Sequence, residues 1–257
     1  MKSLYDLTLD YERFFGDPAD EKNTFSFKRA RQYDINSTFP EEFIRELNAW
    51  GLSEYYVPEA FGGNLKGYDE LFNLIRLTSR RDLTAAIGHG KTMLGAICVW
   101  VGGSDTQRAR LAESILRQDQ VSLALTEHPH GSDISATDTL CSETEDGYLL
   151  NGEKYLINNA RRSASLTVFA RTSAKNNARD FSLFMVEKAG LPENALSYES
   201  QAADSRHQRR RHQRCAFSQC PAPRLFAGRP NRSGSGNHAL RIPNQPHAVH
   251  RPLMRCW

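Results

Sequence analysis

The chain has 257 residues, 39% hydrophobic and 10% aromatic, enough to bury a substantial core in one large domain or two ordinary ones. The formal net charge of +3 hides a split: residues 201–257 hold eleven Arg, no Lys and one acid, Asp204, against an acidic body. An odd set of five Cys with no C-x-x-C speaks against a disulfide framework, no apolar leader opens the chain, and the apolar stretch around Met93 to Val101 is too short to span a membrane; the expectation is a cytoplasmic protein.

The first 120 residues read as helices. In FPEEFIRELNAWG, Phe43, Leu47 and Trp50 share a face, Pro40 and acids open the helix, and Gly51 ends it. YDELFNLIRLTSRR repeats the pattern with Leu71, Leu74, Ile75 and Thr78. LTAAIGHGKTMLGAICVWVGG is apolar almost all round, which predicts a central buried helix, with His89 as a structural residue inside it. SDTQRARLAESILRQD is a polar amphipathic helix capped by Ser104 or Asp105.

After Gln120 the period becomes two. VSLALT is a strand. TLCSETEDGYLLNGEKYLIN reads as strand, Asp146-Gly147 turn, short strand, Asn151-Gly152 turn, strand. SLTVFART and DFSLFMVEK alternate across a polar loop. Cys98 and Cys141, in apolar or strand-like surroundings, are expected as buried free thiols. From Gln201 on, no period holds, and Arg, Pro, His and Gly punctuate a composition that predicts disorder. The expected division is a helical domain over 1–119, a β domain over 120–200 and a disordered tail over 201–257.

Three stretches carry a resemblance: WGLSEYYVPEAFGG, LALTEHPHGSDIS (123–135) and GYLLNGEKYLINNA. In this order and spacing they resemble the acyl-CoA dehydrogenase family, whose pattern is roughly T-E-P-x-x-G-S-D followed by L-N-G-x-K-x-W-I-T-N. The resemblance runs from about Phe39 to Glu199. It implies an α+β fold: an all-α N-terminal domain, then an antiparallel, barrel-like β domain, with a C-terminal helical domain in full-length members. It implies FAD as cofactor and α,β-dehydrogenation of an acyl-CoA or acyl-carrier thioester. In full-length members it also implies an electron-transfer flavoprotein or similar acceptor, and a homo-oligomer.

By the same resemblance Leu123, Leu125 and Thr126 lie against the flavin ring, the backbone of Leu125 and the side chain of Thr126 hydrogen-bonding it. Gly131 and Ser132 meet the FAD pyrophosphate, Ser132 reaching that group or the acyl-CoA; free N–H groups and a hydroxyl in a turn suit phosphate oxygens. Leu156, Ile157 and Asn158 take the places of the W-I-T residues that pack on the flavin. The pattern's Pro is His128 here, followed by Pro129 and His130, and its Trp and Thr are Leu156 and Asn158. No catalytic base is assigned, Glu127 belonging to the flavin-strand motif. No metal site is assigned either: His128 and His130 beside Glu127, and His212, Cys215 and Cys220, lack a ligand spacing that completes a site.

The segments that follow in the family are absent after Ser200. Back-translated and read one base later, the tail allows them in family order: G-A-D-I-S from RRRHQ, F-x-N-A-x-L-P from AFSQCPAP, L-L-G-D from LFAGRP, G-L-E-I-T from GSGNHA. The expectation is a frameshift near the codon for Gln201 and an inactive product lacking the C-terminal catalytic domain. The rival reading is a non-enzymatic binding module whose Arg-rich tail holds nucleic acid; a tail with Arg alone, and no interleaved aromatics or folded reader, does not favour it.

Overall fold

The computed structural model describes residues 4–145, 147–173, 180–200, 213–222 and 225. Helices α1 (Leu4–Phe15), α2 (Phe27–Ile35), α3 (Glu41–Trp50), α4 (Tyr68–Arg81), α5 (Leu83–Gly102) and α6 (Asp105–Leu116) precede every strand. Local chemistry sets their ends. Asp82 caps α5 by accepting from the Ala85 N–H at 2.7 Å, Ser104 and Gln107 form a reciprocal capping box on α6, and Gly51 ends α3. Phe43 and Leu47 of α3 and Leu71, Leu74 and Thr78 of α4 face inward as their spacing predicts.

These helices enclose one core, which includes Tyr11, Phe15, Phe43, Leu47, Leu52, Tyr56, Leu77, Val99 and Leu111 and reaches Val121 in the first strand. Helix α5 is central but not buried all round: Ala85, His89, Thr92, Gly95 and Val99 face inward, while Leu83, Leu94 and Val101 are exposed. His89 is structural, as its setting predicts. The Tyr56 hydroxyl donates to Nδ1 at 2.6 Å, and Nε2 donates to Asn48 Oδ1 at 2.9 Å. Both ring nitrogens are used by the neutral form, and burial pushes the His89 pKa down to about 3.

The strands are β1 (Val121–Ala124), β2 (Leu140–Thr144), β3 (Gly147–Ile157), β4 (Ser165–Arg171), β5 (Phe181–Glu187), β6 (Leu196–Ser200) and β7 (Gln213–Pro221). They form a seven-stranded sheet in the order β1-β4-β2-β3-β7-β6, with β5 also on β4. The sheet is mixed, which corrects the antiparallel expectation: β1 runs parallel to β4, Val121 opposite Ser165. A parallel pair needs a crossover, and the β2–β3 hairpin, with its following turn, provides it. A second correction concerns Asn151-Gly152. No turn forms there; β3 runs on as one 11-residue strand. Gly152 instead sits at a register shift against β7, at φ 141°, where an added Cβ would lie 2.6 Å from the Thr139 Cα. A dipeptide suited to a hairpin serves here as a bulge.

The tail differs most from expectation. Residues 201–212, 223–224 and 226–257 lie outside the described residues, but Gln213–Pro221 is a strand between β3 and β6. Gln213, Cys215, Phe217 and Cys220 are buried in the second core, with Leu150, Leu166, Phe184 and Val186, or at its edge. Over 57 residues the Arg, Pro and His content masks a nine-residue run whose Cys and Phe alternate inward, Cys behaving as a small apolar residue. Arg214, on the outer side, pairs with Glu153 of β3 and Glu199 of β6. Cys98, Cys141, Cys215 and Cys220 are free thiols.

Two outcomes follow. Phe217→Ala should cost about 3–5 kcal/mol in urea unfolding, whereas Ser218→Ala, at an exposed position of the same strand, should stay within about 0.5 kcal/mol; equal effects would remove β7 from the core. Because the folded His89 pKa lies below the unfolded value of 6.5, the unfolded chain binds the extra proton between the two. His89 therefore makes stability fall as pH drops below about 6.5 and towards 3, and His89→Gln should flatten a thermal-midpoint profile across that window.

Candidate functional site

The loop after β1 and the turn after β3 are the segments that the sequence marks, and the fold brings them together. Close packing of α5 on β1 comes first. An added Cβ at Gly95 would lie 2.7 Å from Val121 Cγ1 and 3.1 Å from the Ser122 backbone, and the Thr167 hydroxyl donates to the Gly95 carbonyl at 2.8 Å. With β1 so placed, Ser122 Oγ donates to the Asn158 carbonyl at 2.9 Å, and the Tyr155 N–H donates to the Thr126 carbonyl at 2.7 Å.

Beneath this junction lies a buried ion pair. Lys154 Nζ donates to Glu127 Oε1 at 2.7 Å, to the Leu125 carbonyl at 3.0 Å and to Thr137 Oγ1 at 3.3 Å, which uses all three of its protons. The two side chains are 0% and 3% exposed. Glu127 also accepts from the Thr139 N–H at 3.0 Å, the Thr139 hydroxyl at 2.6 Å and the Asp138 N–H at 2.6 Å. Burial alone would raise the Glu127 carboxyl, but the hydrogen bonds from Lys154, Thr139 and the Asp138 N–H hold it at about 2. Burial pulls the Lys154 ammonium down to about 8 against the attraction of Glu127. A carboxylate so saturated and so weakly basic is no general base. His130 and Asp138 stand close enough to share an ion with it, and His130 bonds Asp138 at 2.9 Å.

The residues singled out in the sequence fall into three groups. Leu123, Leu125, Thr126 and Asn158 are half-buried along the junction. Leu156 is 44% exposed, whereas Ile157 is 3% exposed and belongs to the second core. Gly131 and Ser132 are exposed further along the loop, and a Cβ on Gly131 would meet nothing within 4 Å, so the chain there stays open to an approaching group. Among the described residues the side chains of Thr126, Ser132 and Asn158 have no hydrogen-bond partner. Half-buried aliphatic groups with an unpaired hydroxyl and amide fit a flat ring with a polar edge, and the open Gly131-Ser132 loop fits oxyanions.

Sequence reasoning passed over Lys154, Thr139 and Asn159, the last donating to the Gly88 carbonyl of α5. The available signal was a lysine two residues before the apolar Leu156-Ile157 pair, on the inward side of its strand.

Two domain models of one family match the chain: the acyl-CoA dehydrogenase N-terminal domain over residues 24–119 and the middle domain over residues 122–209. A probable acyl-CoA dehydrogenase, fadE25, of Mycobacterium leprae is 32% identical over 162 residues, 62% of this chain and 41% of that protein. The mitochondrial isobutyryl-CoA dehydrogenase of Dictyostelium discoideum is 28% identical over 185 residues, 71% of this chain and 44% of that protein. Among solved structures, butyryl-CoA dehydrogenase from Megasphaera elsdenii superposes with a TM-score of 0.74 at 21% identity, covering 88% of this chain and 60% of that one. An FAD complex of PigA superposes with a TM-score of 0.73 at 22% identity, covering 88% and 58%. The fold and its junction are those of a two-part α-helical and β-sheet scaffold, and the chain belongs to the acyl-CoA dehydrogenase family. It spans about two-fifths of the length of the curated relatives it matches.

Leu156 breaks a local rule at this place, with φ at 58°. Left-handed backbone is costly for a residue with a Cβ, and Asn bears it best. An exposed leucine held there gains little from packing, and such strain gathers at binding sites. Leu156→Asn should raise stability in urea unfolding by about 0.5–1 kcal/mol; a loss would show that packing, not ligand contact, holds the leucine.

Proposed function

We propose that this chain carries the flavin-facing half of an FAD-dependent dehydrogenase that forms an α,β double bond in an acyl-CoA or acyl-carrier thioester. The observation that carries the reading is the junction itself, where the Thr126 carbonyl meets the Tyr155 N–H and Ser122 meets Asn158. That contact joins the two stretches that match the family pattern. FAD, when bound, supplies the hydride acceptor for the β hydrogen while a carboxylate takes the α proton.

The residues of this chain hold and orient. Leu123, Leu125 and Leu156 give the ring an apolar floor, the Thr126 hydroxyl and the Asn158 amide bond its polar edge, and Gly131 and Ser132 receive the pyrophosphate, Ser132 also serving the acyl carrier. Ile157 contributes through its main chain. An electron-transfer flavoprotein or similar acceptor and a homo-oligomer go with the full-length enzyme, in the cytoplasm. No helix of the described residues is long and apolar enough to cross a membrane.

No described residue is placed as the base, since Glu127 is saturated. We propose further that residues from about 201 on are the family's coding sequence read in a second frame, and that the chain as written is inactive. The alternative, an Arg-rich tail that grips nucleic acid, is weakened by the use of Arg214 in ion pairs within the sheet.

Purified chain and the product of a frame-restored gene should be compared for bound flavin and dye-linked dehydrogenation of a panel of acyl-CoA thioesters. The frame-restored protein should hold stoichiometric FAD and turn over; the chain as written should show no turnover. Turnover by the chain as written would overturn the inactivity, absence of flavin from both would overturn the flavin reading, and nucleic-acid binding that survives physiological salt would favour the alternative.

A further inference from the structure

We infer that Lys154 is a positioning residue for the cofactor surface: with Glu127 as its counter-ion, it turns the Leu125–Thr126 peptide so that the Thr126 N–H faces outward as a donor. The inference rests on the flavin reading for the identity of the group that accepts this bond, but its geometry stands apart from that reading.

A trans peptide carries its C=O and N–H on opposite sides, and the described chain has no cis peptide bond. Lys154 Nζ holds the Leu125 carbonyl at 3.0 Å from the interior side. The Thr126 N–H, in the same peptide plane, therefore points away from Lys154, and among the described residues it has no hydrogen-bond partner. The next peptide is fixed by the Tyr155 N–H on the Thr126 carbonyl. Two consecutive peptides of the loop are thus held by two neighbouring residues of β3, one through its side chain and one through its backbone.

Glu127 keeps the device in place. Its carboxylate gathers the Asp138 and Thr139 N–H groups, so both ends of the 127–139 loop are tied to one ammonium. The charge also polarises the peptide it holds. An ammonium on a carbonyl oxygen strengthens the N–H across the same amide as a donor. Toward a flavin, a stronger donor favours the reduced, more electron-rich ring. The backbone contact expected from Leu125 is thereby refined: its carbonyl is already taken, and the neighbouring Thr126 N–H is what this peptide offers.

The test uses the full 257-residue chain with Lys154→Met and Glu127→Gln. Amide hydrogen exchange is followed over 125–139 with α5 as internal reference, alongside FAD affinity by quenching of free FAD fluorescence. Lys154→Met should lose at least tenfold in protection over 125–139, leave α5 unchanged, weaken FAD at least tenfold and lower the midpoint potential of whatever flavin is retained. Glu127→Gln, which keeps an acceptor for the loop N–H groups, should fall between. Protection over 125–139 and FAD affinity within twofold of the unsubstituted chain would overturn the inference. So would loss of protection spread equally through α5 in both variants, which would make the pair a stability element alone. If the unsubstituted chain binds no FAD while Lys154→Met still frees 125–139 selectively, the positioning role stands, and flavin binding by the frame-restored protein decides the flavin reading.

Discussion

The closeness of α5 to β1 is the constraint on which the rest hangs. A helix reaches a sheet this closely only where a side chain is missing, and Gly95 supplies the gap against Val121 and Ser122. Thr167 then borrows the Gly95 carbonyl, so β4 is fixed to the same helix as β1. The parallel β1–β4 pair follows, and the chain between them has to go out and return as the β2–β3 hairpin. The end of β1 is consequently delivered beside the end of β3, and the candidate site is where those two ends meet. Asn159 on the Gly88 carbonyl closes the same triangle from the far side.

Burying an ion pair at such a junction is costly. Desolvation takes several kcal/mol per ion, and an apolar pair of equal volume is often as stable or more so. What the pair adds is uniqueness: an ammonium with three acceptors at fixed positions and a carboxylate with five donor groups admit one loop conformation, whereas packed methylenes admit several. Losing either partner leaves the other charged and buried, a cost that falls first on the loop the pair holds. A loop with little regular structure of its own, and with exposed Gly131 and Ser132, is in this way as determined at its ends as a strand.

The inward faces of α3 and α4 were legible because local rules and tertiary packing agree there; β4 and β5 bury residues on both faces, so their alternation singled out neither. Legibility failed where they diverge. Asn151-Gly152 has the chemistry of a tight turn, but β7 pairs along the whole of β3 and turns that chemistry into a bulge. The parallel β1–β4 pairing leaves no trace in either strand's own pattern. Leu125, Thr126, Leu156 and Asn158 were brought together in the sequence only by a family resemblance, since nothing in LALTEH or YLINN states that the two stretches meet. Lys154 was in plain sight, and its burial follows only once Glu127 is known to lie opposite.

The tail shows how little a sheet asks of its last member. The slot between β3 and β6 has two sets of unpaired backbone groups, and satisfying them is a main-chain matter that any non-proline run can serve. The side chains need only be apolar every second residue on the inner face, and Cys215 and Phe217 meet that need. The outer face asks for charge complementary to Glu153 and Glu199, which Arg214 supplies. Occupancy of that slot is therefore neutral on whether the residues were selected for it. A strand built from a shifted reading frame and a strand refined by selection satisfy the same backbone requirement. The sheet closes around β7 whichever frame encoded it.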